Sequence, residues 1–487
     1  METESSNKSI FVIFFKSQTA VATLAISLLL SFSTMCTASI VPEILSDRYA
    51  RISHSYDGPF CSDHHEEHLP KECQAGSDDA QAASAFGTLF LNILTLVFNS
   101  VVGSYSDVHG RKAPIVAGTL LSILSPLALV LMQIVPTMHP IWFYLSLSVT
   151  GIVNFISIMF AAISDVVPED SRSSCFAIMM SGWYGGFVLA PSITLLMSHM
   201  AVSILSFILA LLGLLVAAIY FPETISSTNI EAQAETAVSN EEDDRGWSLL
   251  KTMIEPIKKL SILNRNMTLR MLTIGSFFSS AVFSTDANLF LFYVESHFDV
   301  NEADLAQMFF VMGILGVVMQ AFLLHPLTVC MGEKVLLTLT FLSGTLHNLL
   351  YGVSRNKEGI YVAVCLSQFT KLNFPLLSSV GSKGASKNEQ GRLQGSLFSI
   401  NAFSAAVGPL LMQAIYNCTK DTFGPGTMFV FAAGLYFLGT ISIAFMPVKD
   451  PTNEETEVED TTICDDLAQP LIDPANHEGE NSIASNA

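Results

Sequence analysis

The chain has 487 residues, half of them apolar and only 14% charged, with 34 phenylalanines. A globular domain carries roughly a quarter charged residues to cover a water-exposed body, so this composition excludes an ordinary soluble protein and makes the bilayer the solvent. The formal charge of −20 gathers around Asp57 to Asp79, in Glu241-Glu242-Asp243-Asp244 and in the tail beyond Asp450, all solvated stretches, and nothing in it points to nucleic acid.

Read from the start, residues 1–17 are expected to be a cytosolic N-terminus, and the apolar run from Thr19 is long and lacks a small-x-small cleavage site. An uncleaved first span is expected there rather than a signal peptide. Spanning about 30 Å of hydrocarbon takes about 20 helical residues. Runs of that length fall near 18–42, 81–103, 113–135, 141–163, 174–197 and 201–221, then near 270–294, 304–327, 332–353, 359–380, 393–416 and 427–447. The pattern predicts an all-α polytopic membrane protein of about twelve transmembrane helices in two six-helix bundles, 18–221 and 269–447. A linker, 222–268, and an acidic disordered tail, 448–487, complete it.

Basic residues are segregated. Placing both termini on one side gathers Lys8, Lys16, Arg111, Lys112, Arg172, Lys258, Lys259, Arg265, Lys334, Lys383 and Arg392 there, against Arg48, Arg51, Lys71, Arg355, Lys357 and Lys420 opposite. That bias predicts a multi-pass protein with both termini cytosolic; it does not say whether the plasma membrane or an endomembrane holds it.

The outer loop, about 44–80, contains Cys61 and Cys73 on the oxidising face. They are candidates for a disulfide, with free thiols or a Cys418 partner as alternatives. The Asp63-His64-His65-Glu66-Glu67-His68 run between them reads first as a solvated loop, and no metal site or cofactor is expected. In the linker, Trp247, Leu250, Ile254, Ile257 and Leu260 alternate with lysines, which suggests a helix on the inner membrane surface. Asn417-Cys418-Thr419 is a glycosylation sequon on the outer side.

Between spans 2 and 3 stands Gly103-Ser104-Tyr105-Ser106-Asp107-Val108-His109-Gly110-Arg111-Lys112. Gly103 permits close helix approach and Gly110 a tight turn, Asp107 can face a positive helix N-terminus, and Arg111 and Lys112 supply counter-charges. This stretch resembles the signature loop of the major facilitator superfamily. The resemblance implies a latch to span 11, starting near Gly391-Arg392-Leu393, that holds the halves together on the cytosolic side. The equivalent second-half loop, His325 to Lys334, keeps Gly332 and Lys334 but lacks the acid, so an asymmetric latch is expected. Ser164 to Arg172 is similar to a junction of drug-exporting members, Phe221-Pro222-Glu223-Thr224 closes span 6 as in many members, and Glu389 to Gly395 with Val407-Gly408-Pro409 resembles the tetracycline-antiporter-like and hippocampus-abundant-transcript-like branch. The paired loop cysteines also resemble the proton-coupled folate transporter branch. Two departures weigh against antiport: no Arg lies within Leu145 to Ile163, and the Gly-Pro pair of span 5 stands as Ala190-Pro191.

Polar groups are costly in hydrocarbon and so are functional candidates. Asp286 and Lys371 are the deepest charges, either paired with each other or facing a wet cavity where Asp286 takes up a proton and Lys371 attracts an anion. His347 titrates near neutral pH or bonds between helices. Asn154, Asn288, Gln368, Asn373 and Asn401 line a cavity or bond between helices, while Glu43, Glu295 and His325 read as interfacial. The expected function is secondary active transport of a small organic solute, with protons as a candidate coupling ion and lipid as the surround. The rival is a transporter-like receptor or scaffold; no nucleophile–base set supports an enzyme.

Overall fold

The computed structural model describes residues 10–61, 70–194, 196–225, 258–298, 302–420 and 422–447, without the side chains of 287–289, 291–292, 295–306 and a few others. The His/Glu run, the amphipathic linker segment, the acidic tail and the side chains of Asn288 and Glu295 lie outside the described residues. A seven-residue helix, Ile10–Lys16, comes first. Among the described residues twelve long helices follow and no strand. They are α1 Gln18–Ser53, α2 Lys71–His109, and α3 Lys112–Ile134, α4 Ile141–Val166 and α5 Arg172–Thr194. The first half closes with α6 His199–Tyr220. The second half has α7 Met267–Phe298 and α8, which runs as Glu302–Val318, a π-turn Met319–Leu323 and Leu324–Met331. It continues with α9 Glu333–Val353, α10 Lys357–Lys383, α11 Gln390–Thr419 and α12 Thr427–Ala444. This is the expected all-α fold of two six-helix bundles.

Among the described residues, eleven of these helices are long and apolar enough to cross a membrane. α7 carries Ser276, Ser279, Ser280, Ser284 and Thr285 ahead of Asp286. Those hydroxyls face protein: Ser276 and Ser280 donate to Asn401 Oδ1 of α11 at 2.6 and 2.7 Å, and Ser284 to the Ala405 carbonyl at 3.1 Å.

Each half has two apolar cores. In the first half, one is built on Phe14, Phe160, Phe176 and Phe221 and the other on Leu45, Tyr49, Leu129 and Phe143. In the second, Phe341, Leu376, Leu397 and Tyr436 form one and Phe290, Tyr293, Tyr351 and Phe429 the other. Basic residues separate by end in the structure as well. Arg111, Arg172, Arg265, Lys383 and Arg392 make their ion pairs at one end, called here the latch end. Arg51 pairs with Asp47 near the disulfide that joins Cys61 to Cys73 at the other.

The first outer loop is much shorter than the expected 44–80. α1 has 36 residues and α2 has 39, about 54 and 58 Å at 1.5 Å per residue, so both run past the hydrocarbon. Polar contacts sustain the extension. Asp47 accepts from Arg51 Nε at 2.7 Å, one helical turn on, and from the Cys61 amide at 3.1 Å. His54 Nε2 meets Asp79 Oδ2 at 3.0 Å. Asn417 is exposed in the last turn of α11.

The two halves meet most closely along α2 and α11, where a Cβ on Gly103 would strike the Gly391 carbonyl and one on Gly395 the Asn99 carbonyl. Close helix approach of this kind needs small residues. Gly103→Ala is therefore expected to destabilise by about 1–3 kcal/mol, the usual cost of overpacking, seen as a lower unfolding midpoint in detergent. Gly434→Ala in α12, where an added Cβ meets nothing, leaves the midpoint in place.

Candidate functional site

At the latch end, Gly110 turns the chain between α2 and α3 at φ +98°, a conformation that favours glycine. The turn places Asp107, only 5% exposed, against the first turn of α11. Its two carboxylate oxygens accept from the main-chain amides of Gly391 and Arg392 at 2.7 and 2.8 Å. A carboxylate there satisfies amides that the helix leaves unpaired and sits at the positive end of its dipole.

Arg111 completes the arrangement with no exposure at all. Its Nη1 is 2.7 Å from Asp107 Oδ1 and its Nε donates to Asp165 Oδ2 at 3.0 Å. Burial works against its charge, but the carboxylates of Asp107 and Asp165 outweigh that and hold the guanidinium above its ordinary range. Glu223, just after α6, accepts from the amides of Arg111 and Lys112 at 2.7 and 3.1 Å, and Thr224 Oγ1 donates to Asp165 at 2.9 Å. Three stretches distant in sequence converge here. Lys112 takes part through its amide.

Other contacts cross between the halves nearby. Arg172 Nη1 donates to Ser382 Oγ at 3.1 Å, and Ser174 Oγ meets His325 Nδ1 at 2.9 Å. His325 thus contacts the first half instead of facing the interface, because α8 packs on α5 at that level. The second-half loop is asymmetric to the first: Glu333 stays within its own half, binding Lys383 Nζ at 3.0 Å and Ser379 Oγ at 2.9 Å.

Above this closure lies a cavity of about 680 Å³ between the halves. Its floor is aromatic. Phe374 of α10 and Phe398 of α11 line it and pack at 5.0 and 6.3 Å on Phe160 of α4, which packs on Phe176 of α5 at 4.6 Å.

Asp286, Lys371, Asn154, Asn373 and Asn401 all line the cavity. Asp286 and Lys371 do not pair. Lys371 Nζ lies 4.7 Å from the Phe283 ring centre and 5.8 Å from that of Tyr184, on the opposite half, a cation over aromatic faces. Asp286 Oδ2 is 3.4 Å from His347 Nε2, and its Oδ1 is buried without a partner. His347 does not line the cavity. It sits behind Asp286, 1% exposed, with Nδ1 at 3.1 Å from the Ser343 carbonyl. Gln368 is buried in the wall and bonds to Val364 and Ser367 of its own helix.

Two of these positions owe their exposure to breaks in helices. α4 passes through a 3-10 turn, Thr150–Ile152, and an extended Val153 before Asn154 caps the restart by accepting from the Ile156 amide at 3.1 Å. α10 loosens into the 3-10 stretch Gln368–Leu372 just before Asn373, and the Lys371 carbonyl is satisfied by Gln320 Nε2 at 2.6 Å. Helices four and ten hold corresponding places in the two halves. Both interruptions border the cavity.

The family model for the Major Facilitator Superfamily matches residues 23–409. This chain belongs to that superfamily. It is 23% identical over 380 residues to the hippocampus abundant transcript-like protein 1 of Bos taurus, covering 73% of this chain and 72% of the relative. It is 24% identical over 371 residues to the class E tetracycline resistance protein of Escherichia coli, covering 75% and 86%. The crystal structure of the human organic anion transporter MFSD10 (TETRAN) superposes with a TM-score of 0.68 at 18% identity, covering 88% of this chain and 99% of that one.

Removing the charge of Asp107 leaves two amides and a buried guanidinium poorly matched, a penalty of about 1–3 kcal/mol for a buried polar group. Asp107→Asn is expected to loosen the latch end, read as several-fold faster maleimide labelling of the buried native Cys175. Unchanged labelling means that Asp107 does not hold this end shut.

Proposed function

We propose that this protein is a secondary active transporter that carries a small organic solute through the cavity between its halves by alternating access. The observation that carries the reading is a solute-sized chamber at the seam, closed at one end by separable contacts and lined by two charges, Asp286 and Lys371, that do not pair with each other. A receptor or scaffold needs no such chamber. We place the latch end in the cytosol, on the basic bias of its loops. As folded, the chain is then closed toward the cytosol.

Lys371 is the solute-facing cation. Its ammonium rests on two rings, an arrangement that an anionic group on a partly apolar solute can replace at little cost, since most other lining residues are aromatic or hydroxylic. The human relative named as an organic anion transporter supports an anionic solute.

Asp286 and His347 are the proton site. Ser343 offers only a carbonyl to His347 Nδ1, so that nitrogen carries the hydrogen of a neutral ring, and Nε2, also met by Asn348 Nδ2 at 2.8 Å, turns a lone pair toward a carboxylate. The two attract only when a proton is shared between them. The other ionisable groups around the pair are Lys371 of α10, Tyr351 of α9 and Tyr436 of α12, whose rings lie 5.3 and 6.0 Å from the imidazole.

In vesicles holding purified protein, a pH gradient is expected to drive uptake of an organic anion, and Asp286→Asn to abolish the pH dependence. Flux unaffected by Asp107→Asn and Asp286→Asn together favours the scaffold. Lys371→Gln is expected to raise KM for anionic solutes about tenfold or more, the worth of a charge-assisted bond, with less effect on neutral ones. An equal effect on both removes Lys371 from anion recognition.

A further inference from the structure

The helix Ile10–Lys16 lies outside the twelve membrane helices and has no part in the cavity. It is nevertheless firmly seated. Ile10 and Phe14 are 3% and 0% exposed and belong to the latch-end core of the first half. Phe11, half-buried at the edge of the same core, also reaches across the seam. Its ring lies 5.9 Å from that of Phe322 in α8, tilted by 47°.

Phe322 belongs to the second half and sits in the π-turn Met319–Leu323. Such turns are rare and frequently mark functional places. This one also holds Gln320, whose amide supports the Lys371 carbonyl. One turn of α8 therefore touches the N-terminal helix on its outside and the backbone of the cavity's cation on its inside. The seam it lies on is that of α5 and α8, which the Ser174–His325 contact closes nearby.

We propose that the helix Ile10–Lys16 is a clasp on this seam, anchored in the first half by Ile10 and Phe14 and gripping the second through Phe11 on Phe322. The clasp holds the latch end shut and releases before that end can open. Through the π-turn and Gln320 its release is tied to the backbone at Lys371, so the solute site and the N-terminal helix sense each other. This rests on the transport reading, because only an alternating cycle requires the seam to part.

Two measurements on the full chain decide it. In the first, Phe11→Cys and Phe322→Cys are combined after the exposed Cys330, Cys365 and Cys418 are replaced by Ser, and the pair is joined with a short bis-maleimide. Solute flux is expected to fall at least tenfold in the joined protein and to persist in each single variant treated alike. Full flux in the joined protein, or no joining, overturns the clasp. In the second, Phe11→Ala is expected to speed maleimide labelling of native Cys175 several-fold, while Val12→Ala, at an exposed position of the same helix, does not. Equal labelling in Phe11→Ala and the native chain also overturns it. Labelling requires no solute, so it tests the clasp even if the transport reading fails.

Discussion

A buried carboxylate at a helix N-terminus is the constraint on which the closed structure depends. Asp107 has left water, and its charge is tolerable only while Gly391 and Arg392 present their amides and Arg111 lies alongside. Those amides belong to the other half, so the cost of burying the charge is met only when the halves are together. The glycines at 103 and 391 exist in the service of this geometry: any side chain there would push the amides out of reach. Asp165 and Glu223 then hold Arg111 in place from the ends of α4 and α6. Separation exposes the same groups to water, which hydrates them well. A contact of this type is stable when made and cheap to break, as a cycling carrier requires.

The cavity follows from the opposite choice. Where the latch uses regular helix ends, the solute chamber uses damaged helix interiors. Inside a bilayer every freed backbone group needs a partner, and the structure supplies them: Asn154 caps the restart of α4 and Gln320 covers the Lys371 carbonyl. The breaks bend α4 and α10 around the chamber and aim Asn154, Lys371 and Asn373 into it. Among the described residues, Asp286 Oδ1 remains buried without a hydrogen-bond partner.

Much of the architecture was legible from residue order. Apolar run lengths and basic bias gave two six-helix bundles, and the resemblance of the Gly103–Lys112 stretch to a family signature loop implied its contact with the N-terminus of α11. The first outer loop was misjudged because hydropathy registers where the membrane ends, whereas α1 continues as helix on polar contacts such as Asp47 with Arg51. The chamber was only partly legible. Charged and amide residues stand out in an apolar run, so Asp286, Lys371, Asn154, Asn373 and Asn401 could be named. Phe283, Tyr184, Phe374 and Phe398 could not, since an aromatic residue facing the chamber looks the same in sequence as one facing lipid. Nor could the pairing of Asp286 with His347, which depends on the relative register of α7 and α9.

The hydroxyl-rich face of α7 bears on how the protein is made. Polar groups are costly in hydrocarbon until they are bonded, and Ser276 finds its partner Asn401 125 residues further along the chain. When α7 leaves the ribosome that partner does not yet exist. The bonds that join α7 to α11 therefore form late, and that wall of the chamber is complete only once α11 has been made.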